Sequence, residues 1–429
     1  MKLKALVGVL AVAGLAMPGI ASATNGYFSH GYGMTAKGMA GAATAMTKDT
    51  FGGANNPASM VWVGDRMDIG VDWFSPIRSA ERTGGAGQAA GLNGTSDSGS
   101  ENFLVPEFGY NMMMGEKMSL GVTVYGNGGM NTDYSNTGYI CSPAGPVNNM
   151  LCGSGKLGVD LMQLIIAPTL AYKVNEKNSI GVSPLLGYQR FKMEGVDSFG
   201  SMSQDPSKLT NNGYDSSTGY GLRVGYMGKL TDTVTIGAAY ATKMRMGKFD
   251  KYKGLFAEDG GFDMPENYNL GIAVKATPAV TVALDYQRIN YSGIKSIANS
   301  AVTATGPLGA ADGPGFGWQD VDVVKLGVEY AYSNKLTLRA GYSHTNNPIS
   351  SSDVTFNILA PAVIRDHYTL GFTYGLDKNS EITMAYMHAA ENDTTGTSLF
   401  AGLGMANPDT TEKIKMYENS LGIAYSKKF

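Results

Sequence analysis

The sequence predicts an all-β fold: a 14-stranded antiparallel transmembrane β-barrel with an N-terminal hatch that contains short helices. Three observations carry the prediction: a two-faced strand at the C-terminus, a composition poor in charge, and a regular alternation of tight turns with long loops. Over residues 417–429, Tyr417, Leu421, Ile423, Tyr425 and Phe429 fall on one side and Glu418, Ser420, Gly422, Ala424 and Ser426 on the other. A period of two with an apolar outer face and a small or polar inner face is what a strand between lipid and water requires. Lys427 falls on the outer side one step before the final turn of the pattern, where its ammonium reaches the headgroup layer. Charged residues make up 16% and hydrophobic residues 43% of the chain, with 58 Gly and 24 Tyr. That is too little charge for a typical soluble enzyme, which carries about 25%. The net charge of -3 gives no reason to expect a nucleic-acid partner.

Taken in order, residues 1–23 read as a secretory signal peptide. Lys2 and Lys4 precede an apolar run over 5–16, and Ala21-Ser22-Ala23 fits the small-x-small cleavage rule, so the mature chain is expected to begin at Thr24. The apolar run is shorter than the ~20 residues a spanning helix needs. Residues 24–65 form the expected hatch. They show little β alternation, include a Gly- and Ala-rich stretch over 35–46 that reads as helical, and carry Phe28, Tyr32, Met34, Met39 and Met46, which a solvated tail would leave exposed.

Residues 66–429 form the barrel. The strand segments pair across long loops as 66–77 with 101–114, 117–127 with 159–173, 178–193 with 217–229, 233–246 with 265–276, 279–292 with 319–332, 335–345 with 365–376, and 380–390 with 415–429. Short turns join the pairs at 115–116, 175–177, 231–232, 277–278, 333–334 and 377–379, and these are expected on the periplasmic side. Alternation places Asp68, Asp72, Glu107, Arg223, Lys243, Arg245, Lys325, Glu329 and Arg339 inside, mostly as ion pairs. The two cysteines, Cys141 and Cys152, lie close together in a loop rich in Gly, Pro and Asn and read as one disulfide in an oxidising compartment.

The pattern Gly31, Gly33, Gly38, Gly41-Ala42, Ala45, Asp49, then Asn56-Pro57-Ala58 directly before barrel strands resembles the FadL family of outer-membrane long-chain fatty acid transporters, which includes toluene and xylene channels of the TodX and XylN kind. The resemblance covers the whole mature chain in architecture, and its specific part is residues 26–60 with the last strand. It implies a channel in the outer membrane of a Gram-negative bacterium that passes hydrophobic compounds, first of all long-chain fatty acids, by rearrangement of the hatch and sideways exit through the wall. Uptake of monoaromatic hydrocarbons by the same route is the alternative, and an outer-membrane hydrolase or a general porin the next. The hatch or gating residues would be Gly38, Gly41, Asp49, Asn56, Pro57 and Ala58. The family's kinked third strand corresponds to 117–127 and its continuation, with Gly126, Gly128 and Gly129 at the kink; glycines there permit a bulge.

An apolar ligand needs an apolar lining, for which Phe28, Tyr32, Met34 and Met39 are candidates; a ligand carboxylate would want an inward cation, for which Arg223, Lys325 and Arg339 are candidates. No catalytic residue, metal site or cofactor is expected. The chain has no G-x-S-x-G elbow and no H-E-x-x-H, His30 reads as a hatch contact, and His344, His367 and His388 sit near strand ends where a ring suits the interface. Expected partners are the hydrophobic ligand, outer-membrane lipid and lipopolysaccharide, and the barrel-assembly machinery through Phe429. The chain is expected to act as a monomer.

Overall fold

The computed structural model describes residues 25–429 apart from 47, 87–90, 136 and 142–146; the signal-peptide reading of 1–23 and the expected start at Thr24 lie outside the described residues. Fourteen strands form the wall: β1 Arg66–Thr83, β2 Phe103–Met114, β3 Met118–Tyr134, β4 Leu157–Lys173, β5 Asn178–Glu194, β6 Asp215–Lys229, β7 Val234–Ala241, β8 Asn267–Lys275, β9 Val280–Ile289, β10 Val321–Ala331, β11 Leu336–Thr345, β12 Asp366–Gly375, β13 Ser380–Thr397 and β14 Thr411–Lys428. Each pairs antiparallel with its chain neighbours, and β14 pairs with β1 from Thr83–Thr411 down to Arg66–Lys428, which closes the cylinder. Among the described residues closure leaves no free edge strand, and the ladder is open between the upper parts of β2 and β3.

The alternation read from the sequence is the alternation of the wall. Along β14, Leu421, Ile423 and Tyr425 are exposed while Gly422, Ala424 and Ser426 are buried. Several strands run further outward than the apolar pattern does, β3 to Tyr134 and β13 to Thr397, because the ladder continues beyond the lipid band. One expectation fails. Lys243 and Arg245 do not face the lumen but lie exposed. Between the pairs Ala241–Arg223 and Arg245–Tyr220 the chain inserts one extra residue, so Met244 turns inward and the two cations turn out. His367 also departs from expectation. It lies fully buried on the inward parity of β12, shared with Thr369 and Gly371, and stacks against His30 with ring centroids 6.0 Å apart.

The lumen is filled in two layers. The lower layer is the segment 25–65, whose residues are nearly all buried. Its predicted helix over 35–46 is only one turn long, α1 Met34–Lys37. Ala40 and Gly41 adopt left-handed backbone (φ 53° and 83°), and at Gly41 any Cβ would collide with the carbonyl of His30, so the chain folds back on itself there. Two 3₁₀ turns follow, Thr50–Gly53 and Pro57–Trp62. The upper layer is a cap made by the long loops, with a continuous apolar core that includes Phe191, Phe249, Tyr252, Phe256, Trp318 and Phe356.

Candidate functional site

Asn56 is the most heavily engaged side chain of the hatch. Its Oδ1 accepts from the Ala58 N–H (3.1 Å), capping the Pro57–Trp62 turn, while its Nδ2 donates to the Thr44 carbonyl (2.8 Å) and to the Tyr226 carbonyl of β6 (2.9 Å). One buried amide thus ties two hatch segments to the wall. Pro57 opens the turn where its missing N–H costs nothing. The wall makes room for this motif: a Cβ at Gly181 would overlap the Pro57 backbone and one at Gly225 the Asn56 side chain. Asp49 caps the other turn by accepting from the Phe51 N–H at 3.1 Å. Its carboxyl is pushed up to about 6 by burial, with Asp68 adding to the effect. Gly38 crosses Gly371 of β12, each too close to the other's backbone for a side chain to fit easily.

The proposed lining residues do not gather round one ligand-sized cavity. Met34 packs between Ala385 and Ala424 beside Gly422, and Met39 fills the space left by Gly327 and Gly341. Phe28 joins an aromatic group with Tyr27 and Tyr291. Tyr32 meets Tyr125 edge-on at 4.7 Å and borders a small polar cavity together with Arg223, Lys325 and Asp285. Of the candidate cations, Arg339 is paired with Glu329 at 2.9 Å, and Lys325 donates to the His30 carbonyl at 3.2 Å. Further ion pairs hold the floor: Lys37 with Asp72 at 2.7 Å and Arg66 with Asp68 and Glu381 at 2.9 and 2.7 Å.

The wall is not uniformly laddered. β2 and β3 pair from Met114–Met118 up to Phe108–Val124 and then separate; above that level residues 103–107 of β2 pair with β1 alone among the described residues. β3 meanwhile slips register against β4 between Gly126 and Gly128, with Asn127 bulged. The hatch covers the inner side of this break: Phe28 bridges to Gly128, Ser29 N–H donates to the Asn127 carbonyl (3.3 Å), and so does the Tyr32 hydroxyl (3.1 Å). Bonding across the gap resumes outside it, where Gly99 N–H donates to the Asp133 carbonyl at 2.8 Å.

Two apolar cavities lie above the hatch, and residue-by-residue reading missed both. The outer one, in the cap, is lined by Phe199, Leu209, Phe256, Leu308, Phe316, Phe356 and Leu359, drawn from four loops. The inner one lies behind the wall break, between Gly26, Arg78, Gly129, Met130, Trp318, Leu359 and Met416. Leu359 lines both. Arg78 is buried, donates to the Ser100 carbonyl, leaves its Nε without a partner and makes no ion pair among the described residues. The only available signal was the number of aromatic and aliphatic residues in the long loops. Cys141 and Cys152 are joined (S–S 2.07 Å) in the loop after β3, next to Met150 and Leu151, which are buried in the cap.

A closed barrel with a filled lumen, an interrupted wall and apolar cavities beneath the loop cap defines an outer-membrane transport protein. The chain belongs to the outer membrane protein transport protein family (OMPP1/FadL/TodX), whose model matches residues 15–411. The toluene transporter TodX of Pseudomonas putida is similar in fold (TM-score 0.70, 18% identity, 93% of this chain and 99% of that one). So are a FadL homologue of Pseudomonas aeruginosa (0.69, 14%, 94% and 100%) and the Ralstonia pickettii toluene transporter TbuX (0.62, 18%, 93% and 99%). An outer membrane protein of Neisseria meningitidis serogroup B is 29% identical over 114 residues, 26% of this chain, so the match spans about a quarter (24%) of that relative's length. The protein is thus an outer-membrane transporter of hydrophobic substrates from a Gram-negative bacterium.

Proposed function

We propose that the protein takes up long-chain fatty acids: the outer cavity captures the ligand, Leu359 passes it to the inner one, and it leaves sideways between β2 and β3. The observation that carries this reading is Arg78. It is a buried cation with no salt bridge among the described residues, Glu418 and Glu101 acting on it only at longer range, and it lines a mainly apolar cavity, shared with Asn131 and Thr132, directly behind the interrupted ladder. A carboxylate docked there would gain a charge-assisted hydrogen bond and an ion pair in a dry setting. A second reading, uptake of monoaromatic hydrocarbons, is favoured by the outer cavity, whose lining holds no cation.

Uptake of labelled oleate and labelled toluene by cells with equal surface levels of each variant separates them. Leu359→Trp should slow both, since it narrows the passage common to both cavities. Arg78→Gln should slow oleate by about tenfold, the equivalent of about 1.4 kcal/mol, and leave toluene unchanged. Toluene uptake falling with oleate unaffected would replace the first reading by the second; unaltered uptake of both in Leu359→Trp would sink the route itself.

A further inference from the structure

The lipid-facing side of the wall carries a groove of about 710 Å³ across β4, β5 and β6, bordered by Leu164, Leu186, Tyr188, Tyr220 and Arg245. The register shows how it arises. One outward row is Leu164, Tyr188, Thr218 and the row beneath is Ile166, Leu186, Tyr220, Arg245, so the small Thr218 lies between large neighbours and leaves a hollow. The groove lies toward the strand ends that carry the long loops, at the outer aromatic level where Tyr188 and Tyr220 stand exposed. Its β4 and β5 side is aliphatic, and its far side, beyond β6, carries Arg245.

Arg245 is the residue that the extra residue after Ala241 turns toward lipid, and it has no ion pair among the described residues. Higher on the same face Arg190 lies over the Tyr214 ring at 4.0 Å, with its Nε unpartnered and no ion pair among the described residues. The acids near by are engaged: Glu194 with Lys192 and Lys156, Asp160 with Tyr214, and Asp263 with the Met246 N–H and Lys243. A guanidinium held at the edge of hydrocarbon is unfavourable alone and favourable beside an anion, and Arg forms bidentate bonds to phosphate.

We propose that this groove binds a phosphorylated glycolipid of the outer leaflet, with a phosphate on Arg245 below Arg190 and an acyl chain along Leu164, Ile166 and Leu186. Charge complementarity selects this occupant over a neutral lipid, and the aliphatic floor selects it over a free anion. The test is native mass spectrometry of the purified full chain in detergent, mixed with bisphosphorylated lipid A or its dephosphorylated form. The wild type should retain one lipid A in about fivefold preference over the dephosphorylated form, a difference of about 1 kcal/mol. Arg245→Gln should abolish the preference, Arg245→Lys should keep part of it, and Thr218→Trp, which fills the hollow without touching a charge, should lower retention of both lipids. Equal retention of both lipids by the wild type, or undiminished preference in Arg245→Gln, would overturn the proposal, as would displacement of lipid A by excess inorganic phosphate. If Arg245→Gln fails to fold, Thr218→Trp decides: unchanged retention in that variant also overturns it.

Discussion

Asp49 is both a cap and a buried acid. Its side chain bonds the Phe51 N–H, and next to it Asp68 accepts from the Thr50 N–H and hydroxyl. Burial, with the neighbouring Asp68 adding to it and Arg66 opposing it, pushes Asp49 up to about 6, above the ~3.9 of an unfolded Asp. The folded hatch therefore binds a proton that the unfolded chain has released between these values. Stability contributed by this group falls as pH rises through that window, and the penalty is complete above it. Asp49→Asn keeps a capping side chain but removes the charge. Protease resistance of the hatch should rise in Asp49→Asn relative to the wild type at neutral pH, and the two proteins should be alike at pH below about 3, where Asp49 is neutral in both states. An equal difference at both pH values would rule this out. The motif singled out Asp49 in the sequence, but its protonation depends on Asp68 from β1, which no local pattern reveals.

At the level of elements, strands and turns were legible because alternation and turn chemistry are local. All six predicted turns join the expected strands, and β14 presents the faces its sequence implies. Two kinds of feature were not legible. A one-residue insertion reverses every side chain after it while leaving the alternation intact, so Lys243 and Arg245 were assigned the wrong face. Helix length over 35–46 was also overestimated, since good helix formers such as Ala36 and Ala42 do not reveal that the path meets Gly371 of the wall at Gly38 and the hatch's own His30 carbonyl at Gly41. The Cys141–Cys152 loop is held less by its bridge than by its contacts. Arg82, paired with Glu412 inside the cap at 2.5 Å, also donates to the Met150 carbonyl at 2.8 Å, and Asn149 accepts from the Leu151 and Gly153 N–H groups. Replacing both cysteines by Ser removes a closure worth at most about 3 kcal/mol in the chain-entropy model. The variant should show faster proteolysis in that loop and an unchanged heat-dependent shift of the barrel on gels; loss of the folded barrel band would contradict it.

Across the whole molecule, hatch and wall are shaped to one another mainly by glycine. Gly109, Gly121, Gly181, Gly225, Gly237, Gly271, Gly327, Gly341, Gly371 and Gly422, spread over ten of the wall strands, each face a hatch residue so closely that a Cβ would meet it. The high glycine count was visible in the sequence, but its arrangement as a ring round the plug was not, because it depends on register between distant strands. The same holds for the two cavities, whose linings come together only when four loops pack. A plug held by close contact and by a few hydrogen bonds differs from the wall that surrounds it. The wall is held by its own strand-to-strand ladder, open at the β2–β3 break, so the two can be perturbed separately. Asn56→Ala would leave the Thr44 and Tyr226 carbonyls and the Ala58 N–H without the amide, at about 1–3 kcal/mol for each buried group left unsatisfied. Pro57→Ala frees the turn and costs less, about 1 kcal/mol or below. If movement of the hatch limits passage, Asn56→Ala should change uptake of oleate severalfold, and more than Pro57→Ala does, while both variants reach the surface as folded barrels. Uptake identical to wild type in Asn56→Ala, with the hatch shown by proteolysis to be loosened, would mean that ligand passes without any contribution from the hatch.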